Sequence, residues 1–147
     1  MLQITIRGRE DTRITITAFN RSYPNQSDFW DGNWLNCNIE AEIPGYKASF
    51  PAQLRTDEFR SFMVDLTAID RYLTGTATFR SMESYIDLDC KIDNTGHLEW
   101  NCETSYPPGI GATLHFSFTS DQSCLPPLIK ELELLLENYP VIGNPRE

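Results

Sequence analysis

The feature of this sequence that most constrains its fold is a hydrophobic period that changes along the chain. Apolar and polar residues alternate in segments up to residue 54, which is typical of strands with one buried face. Residues 56–73 instead repeat at the spacing of an amphipathic helix. Alternation returns over residues 77–118, and a second helical stripe covers residues 125–139. This order predicts four strands and a helix, followed by four more strands and a helix.

These elements favour an α+β fold, in which an antiparallel sheet of about eight strands carries two amphipathic helices on one face. The two helical stripes lie 66 positions apart, so that Phe62 matches Leu128 and Leu66 matches Leu132. We therefore predict a single domain over residues 1–147 with two ββββα halves, and a pseudo-repeat that relates residues 2–73 to residues 74–139. Pro140 ends the second helix, and the tail from there to Glu147 is expected to be frayed.

Charge and hydropathy limit the classes of partner. The net charge is −9 over 147 residues, and an acidic chain repels a phosphate backbone, so we expect no direct binding of nucleic acid. A basic protein partner would be attracted instead. The N-terminus does not resemble a signal peptide, and no apolar run approaches the ~18 residues of a membrane helix. We therefore expect a cytoplasmic protein without a membrane contact.

The cysteines and histidines do not form a pattern typical of a metal or catalytic site. The cysteines are widely spaced, and three of the four fall in the apolar phase of a strand, which favours buried, inert thiols. His97 and His115 lie in the opposite phase, and no hydrolase, P-loop or dinucleotide motif is present. We therefore predict no metal site, no cofactor and no enzymatic activity.

Six carboxylates share the polar phase of their predicted strands. If those strands belong to one sheet, the carboxylates point to the same open face. This face either keeps the protein soluble or forms a recognition surface for a basic partner. The candidate contact residues are Glu40, Glu42, Asp87, Asp89, Glu99 and Glu103.

Two tryptophans flank a turn-forming stretch at the entry to a predicted strand. Trp30 and Trp34 enclose Asp31, Gly32 and Asn33, which are turn residues by type. The large aromatic rings either pin this loop over the core or serve as binding anchors, since tryptophan is favoured at interface hot spots. Both interpretations stay open at the level of the sequence.

The run from Trp30 to Leu35, with the strand that follows it, resembles a bacterial family that includes WapI-type immunity proteins. The helix signature over residues 125–132 resembles the same family. This resemblance implies a cytoplasmic antidote to the nuclease tip of a cell-wall-associated, contact-dependent toxin. It gives no binding residues, because the contact surfaces of immunity proteins vary with their toxins.

Three hypotheses follow for function. The leading one is a non-enzymatic immunity protein that binds and neutralises a nuclease toxin domain by occlusion, with Trp30, Trp34 and the six carboxylates as candidate contacts. The alternative is a small-ligand or carbohydrate-binding module that uses Trp34, Tyr85 and His115. The third is an enzyme built around His97 or His115 and a nearby carboxylate. The sequence leaves the choice between a monomer and a dimer open.

Overall fold

In the computed structural model, which describes residues 1–146, the chain follows the predicted alternation of strands and helices. The first half contains β1 (Leu2–Arg7), β2 (Arg13–Arg21), a short helix α1 (Phe29–Gly32), β3 (Trp34–Ile43), β4 (Tyr46–Arg55) and α2 (Thr56–Tyr72). The second half contains β5 (Thr76–Arg80), β6 (Ile86–Ile92), β7 (His97–Tyr106), β8 (Ala112–Asp121), a 3₁₀ turn (Gln122–Cys124) and α3 (Leu125–Asn138). The predicted α+β class with two ββββα halves is therefore confirmed.

The eight strands form two antiparallel sheets of four, where the sequence favoured one sheet. Sheet A has the order β1-β2-β3-β4, and sheet B has the order β5-β6-β7-β8. The break falls between β4 and β5, because the 17-residue helix α2 separates these strands and lies beside β5. The two halves share one strand order, and whether they superpose as a pseudo-repeat stays a prediction.

Each long helix covers the first strand of the sheet in the other half of the chain. In α2, the Asp65 carboxylate accepts a hydrogen bond from the backbone N–H of Thr78 on β5 (3.3 Å). In α3, the Glu131 carboxylate accepts one from the backbone N–H of Thr5 on β1 (3.1 Å). These two carboxylates are 66 positions apart in the chain. Both edge strands thereby have a helix in place of a further strand, which hinders pairing with another chain.

The core lies between the inner faces of the sheets and the apolar stripes of the two helices. Trp100 is fully buried at its centre, with its ring 6.3 Å from that of Phe62 on α2 and 5.8 Å from that of Phe118 on β8. Its indole N–H donates to the Ser120 hydroxyl (2.8 Å), so its polar atom is satisfied inside the core. The predicted stripes of both helices face this core, which also includes Phe59, Leu66, Ile69, Leu125, Leu128, Leu132 and Leu135.

Replacing Phe62 with alanine should lower the free energy of unfolding by about 3–5 kcal/mol, because it leaves a cavity beside Trp100. Urea unfolding followed by tryptophan fluorescence measures this loss. The matched control is Val64→Ala on the same helix, where the side chain is 59% exposed and the expected change is within about 0.5 kcal/mol. Equal losses in the two variants would contradict the assignment of this stripe to the core.

Candidate functional site

The segment that contains Trp30 and Trp34 folds around a buried arginine. Arg55, at the end of β4, donates to the backbone carbonyls of Phe29 (2.7 Å) and Trp30 (2.6 Å), and to the Asp57 carboxylate (2.9 Å). Its guanidinium carbon lies 4.9, 5.5 and 5.0 Å from the ring centroids of Phe29, Trp30 and Trp34. These cation–π contacts and hydrogen bonds hold α1 against the start of α2.

The buried side chain of Asn33 joins this segment to the C-terminal tail. Its amide nitrogen donates to the carbonyls of Phe29 (3.0 Å) and Ile142 (2.9 Å), and its amide oxygen accepts from the Thr56 hydroxyl (2.9 Å) and the Ile142 N–H (3.0 Å). The expectation of a frayed tail is therefore wrong for Ile142, because Asn33 satisfies its backbone groups. Glu147, the end of that predicted tail, lies outside the described residues.

Glu58 connects the start of α2 to the β5–β6 loop of the second half. One carboxylate oxygen accepts from the Arg55 N–H (2.8 Å), and the other accepts from the Met82 N–H (2.6 Å). Burial raises the pKa of Glu58 from about 4.5 to about 7, although these hydrogen bonds and the nearby Arg55 act in the opposite direction. The half-buried carboxyl group is therefore a bridge between the two halves.

The structure divides the six candidate carboxylates between the two sheets. Glu40 and Glu42 lie on the outer face of sheet A, where Glu42 is paired with Arg13 (3.2 Å) and with Lys47 (3.6 Å). The single six-residue face of the sequence prediction required one sheet and is not formed. The other four carboxylates share the outer face of sheet B with two cations. We call this surface the acidic face; it comprises Asp87, Asp89, Glu99 and Glu103 with Arg80 and Lys91.

The acidic face is concave and carries a net charge of −2 from four carboxylates and two cations. Its hollow of about 370 Å³ is lined by residues of all four strands of sheet B. Partial burial raises the pKa of Asp87, and the neighbouring Glu103 and Asp89 act in the same direction, whereas Arg80 opposes them. Arg80 is bonded to Asp89 at 2.7 Å, so one cation on this face is already engaged.

The two histidines lie at different places on sheet B. His115 is 3.4 Å from the Glu103 carboxylate at the rim of the acidic face, and its side chain is 73% exposed. His97 contacts the Thr95 hydroxyl (2.7 Å) in the β6–β7 turn. The enzyme hypothesis places a histidine and a nearby carboxylate in one site, and His115 and Glu103 form such a pair beside the hollow. This pair is open to solvent, whereas a catalytic pair is typically enclosed by a pocket that excludes water.

The three residues of the ligand-binding alternative are not brought together. Trp34 packs on Arg55, Tyr85 stacks with Phe50 at 6.4 Å between the sheets, and His115 lies on the outer face of sheet B. Among residues 1–146, no group of three histidines, cysteines or carboxylates is arranged to hold a metal ion. Cys37, Cys90 and Cys102 are buried and unpaired, and burial raises the pKa of each thiol.

The model of the family described as "Immunity protein WapI-like family" matches residues 4–140. The chain belongs to the WapI-like immunity protein family. The resemblance in the tryptophan segment is thereby confirmed over nearly the whole chain. No curated protein matches the WapI-like chain. None of the helices in residues 1–146 combines the length and apolarity that crossing a membrane requires.

Two solved structures are similar to the WapI-like chain in fold. "Structure of a guideRNA-binding protein complex bound to a gRNA" has a TM-score of 0.50 at 9% identity, over 92% of this chain and 89% of that chain. "Crystal structures of trypanosoma bruciei MRP1/MRP2" has a TM-score of 0.49 at 10% identity, over 93% and 84%. At these identities the first of the two shows a shared fold and nothing about shared function.

Sequence reasoning found the tryptophans of the WapI-like chain but missed the distant residues that hold their segment in place. Arg55, Glu58 and Ile142 lie 21 to 112 positions from Trp30 and Trp34 in the chain, too far for a local pattern to connect them. The alternation of β4 places Arg55 in the polar phase of the strand. That phase suggests an exposed cation, so the pattern points away from the burial that the structure shows. Only the structure shows that α1 closes over it.

Replacing Arg55 with lysine in the WapI-like chain should lower the free energy of unfolding by about 2–4 kcal/mol. An ammonium group cannot reproduce the planar fork that reaches Phe29, Trp30 and Asp57 together. Chemical denaturation measures the loss, and the emission of Trp30 and Trp34 reports the local opening. Arg60→Lys, at an exposed position of α2, is the control and should change stability by less than about 0.5 kcal/mol.

The stability of the WapI-like chain should decrease as the pH rises from about 4.5 to about 7, through the contribution of Glu58. The folded state holds the Glu58 proton more tightly than the unfolded state, so this contribution is fully present below pH 4.5 and is lost through pH 7. The shift corresponds to at most roughly 3 kcal/mol. Urea unfolding at pH 5 and pH 8 should show a smaller difference for Glu58→Gln than for Glu133→Gln, an exposed control. An equal change between pH 5 and pH 8 in the two variants would contradict the assignment of this pH dependence to Glu58.

Proposed function

We propose that the chain is a non-enzymatic immunity protein, which acts in the cytoplasm by binding a nuclease toxin domain and covering its substrate-binding surface. Family membership supports the immunity role. The observation that supports a nuclease as the partner is the acidic face, where three of the four carboxylates, Asp87, Asp89 and Glu103, line one hollow. A nuclease must present cations to the phosphates of its substrate, and such a surface is complementary to this face.

The distribution of charge narrows the proposed contact surface to sheet B. Glu42 on sheet A is already paired with Arg13 and Lys47, so the cations of a partner gain little there. On sheet B, the four carboxylates exceed their two neighbouring cations. Opposite potentials of this kind accelerate encounter by steering, and a toxin that is already inside a cell must be captured quickly.

Trp30 is a separate candidate for a contact residue. Its side chain is 47% exposed, although its backbone carbonyl is bonded to Arg55. Trp34 contacts Arg55 with its ring and is half-buried, so it has less surface to offer. Removing Trp30 would affect both the arginine contact and any interface, and a test of binding must therefore begin with the acidic face.

The guide RNA bound in one structure of similar fold does not imply an RNA ligand for this chain. A protein that binds the phosphate backbone of RNA needs a basic surface. This chain instead has a net charge of −9 and an acidic face on sheet B.

Co-expression with a nuclease toxin domain encoded by a neighbouring gene should restore growth. We expect the combined variant Asp87→Asn, Asp89→Asn, Glu99→Gln and Glu103→Gln to fail at this rescue. Its association rate with the purified domain should fall by roughly 10–100-fold at low salt, because steering is lost. Stopped-flow fluorescence at two salt concentrations measures this rate.

The matched control is the variant Glu40→Gln and Glu42→Gln, which removes carboxylates from sheet A and should retain rescue. Circular dichroism should show that both variants are folded. A complex that forms at the same rate with and without the acidic face would contradict the proposed surface. Absence of any complex with the unaltered protein would contradict the proposed function for that toxin.

A further inference from the structure

The segment from Thr113 to Ser117 of β8 is an exposed strand edge, and the backbone groups of alternate residues there point away from sheet B. The Arg9 N–H donates to the Thr119 carbonyl (3.0 Å), so the backbone of Thr119 faces away from β7. Residues of an antiparallel edge strand alternate between facing the neighbouring strand and facing outward. Thr113, His115 and Ser117 therefore face outward too, and all three are exposed. Among residues 1–146, none donates to or accepts from their backbone groups.

The other three sheet edges are protected. Helices cover β1 and β5, through Glu131 and Asp65. β4 carries Pro51, and the Ser22 N–H bond to Trp34 places Pro51 at an outward-facing position of that strand, where no N–H is available. β4 also carries Lys47, a residue type that hinders pairing at an edge. The segment from Thr113 to Ser117 is therefore the edge suited to a further strand.

The two sides of this edge differ in chemistry. On the outer side, His115 and Ser117 belong to the rim of the hollow in the acidic face, in line with Glu103 and Asn101 respectively. On the inner side, the half-buried Leu114 and Phe116 border two crevices of about 380 Å³ each between the sheets. The first half of the chain lines these crevices with apolar and polar residues. The apolar ones are Ile43, Pro44, Tyr46, Ala48 and Phe50, and the polar ones are Arg9, Glu10, Thr12, Lys47 and Ser49.

We infer that β8 binds an extended segment of the partner protein, in which basic residues alternate with apolar residues, by adding it to sheet B as a fifth strand. Side chains of an added strand point alternately to the two sides of the sheet. Those opposite His115 and Ser117 face the carboxylates, and those opposite Leu114 and Phe116 face the crevices. Neighbouring strands are about 4.8 Å apart. The side chain of a lysine or arginine opposite His115 on the added strand can therefore extend across His115 and place its cation beside Glu103.

This inference deepens the proposed function, since it specifies how a basic partner is held. Backbone hydrogen bonds to the outward groups of Thr113, His115 and Ser117 supply affinity, and the alternation of side chains supplies selectivity. A partner that only matched the charge would not need an extended strand. The test must therefore separate strand addition from simple electrostatic attraction.

The probe is a labelled heptapeptide, capped at both ends, in which arginine and valine alternate. A second peptide has the same composition with the arginines grouped together. Fluorescence anisotropy gives both affinities at low salt, and amide hydrogen exchange by NMR reports Thr113, His115 and Ser117. His115→Pro removes one outward N–H without breaking the β7–β8 ladder, because proline is tolerated at such positions. His115→Thr removes the imidazole and keeps the N–H, and circular dichroism confirms the fold of both variants.

We expect the alternating peptide to bind more tightly than the grouped one and to slow exchange at the three amides. His115→Pro should weaken the affinity for the alternating peptide by about tenfold or more, and His115→Thr should weaken it by less than about threefold. Equal binding of both peptides, equal effects of both variants, or no binding would overturn the inference. So would sedimentation of the unaltered protein as a dimer that His115→Pro dissociates, because a second copy would then occupy β8.

The toxin experiment and the peptide experiment fail independently. If no toxin is neutralised but the alternating peptide is held at β8, the proposed function fails and the strand-binding edge stands. If the toxin is neutralised equally well by His115→Pro and the peptide protects none of the three amides, the edge inference fails and the immunity role stands.

Discussion

The covering of the first strand of each sheet by the helix from the other half is the constraint on which this structure depends. β1 and β5 each begin a four-stranded sheet, and each would expose a row of backbone groups without its helix. Asp65 on α2 and Glu131 on α3 each accept a hydrogen bond from the strand that their helix covers. The apolar stripes of the same helices complete the core. One element therefore provides both edge protection and burial.

The buried Arg55 solves a second problem, at the junction between β4 and α2. A buried cation is costly unless hydrogen bonds and opposite charge compensate it. Here two backbone carbonyls, the Asp57 carboxylate and three aromatic faces surround the guanidinium. The tryptophans are thereby held in a fixed arrangement, and the Asn33 bonds extend this order to Ile142. The most recognisable stretch of the sequence thus has a clear structural role, whatever part Trp30 has in an interface.

Local patterns predicted the elements well because period and element type are directly linked. The alternation around Cys37 and Ile39 and the stripe through Phe62 and Leu66 are borne out by β3 and α2. What the sequence could not predict was the partition of strands, because alternation identifies a strand without its neighbours. For this reason the sequence pattern placed Glu40 and Glu42 on one face with Asp87 and Asp89. In the structure, the first pair lies on sheet A and the second pair on sheet B. The docked tail and the cage around Arg55 depend on contacts between distant residues, which no local period contains.

The covering of β1 by α3 has a consequence for the order in which the structure forms during synthesis. β1 leaves the ribosome before the other elements described here, yet its edge is covered by α3, the last of these elements. The edge of β1 therefore stays uncovered until residue 131 has emerged, and an uncovered strand edge can pair with another chain during that interval.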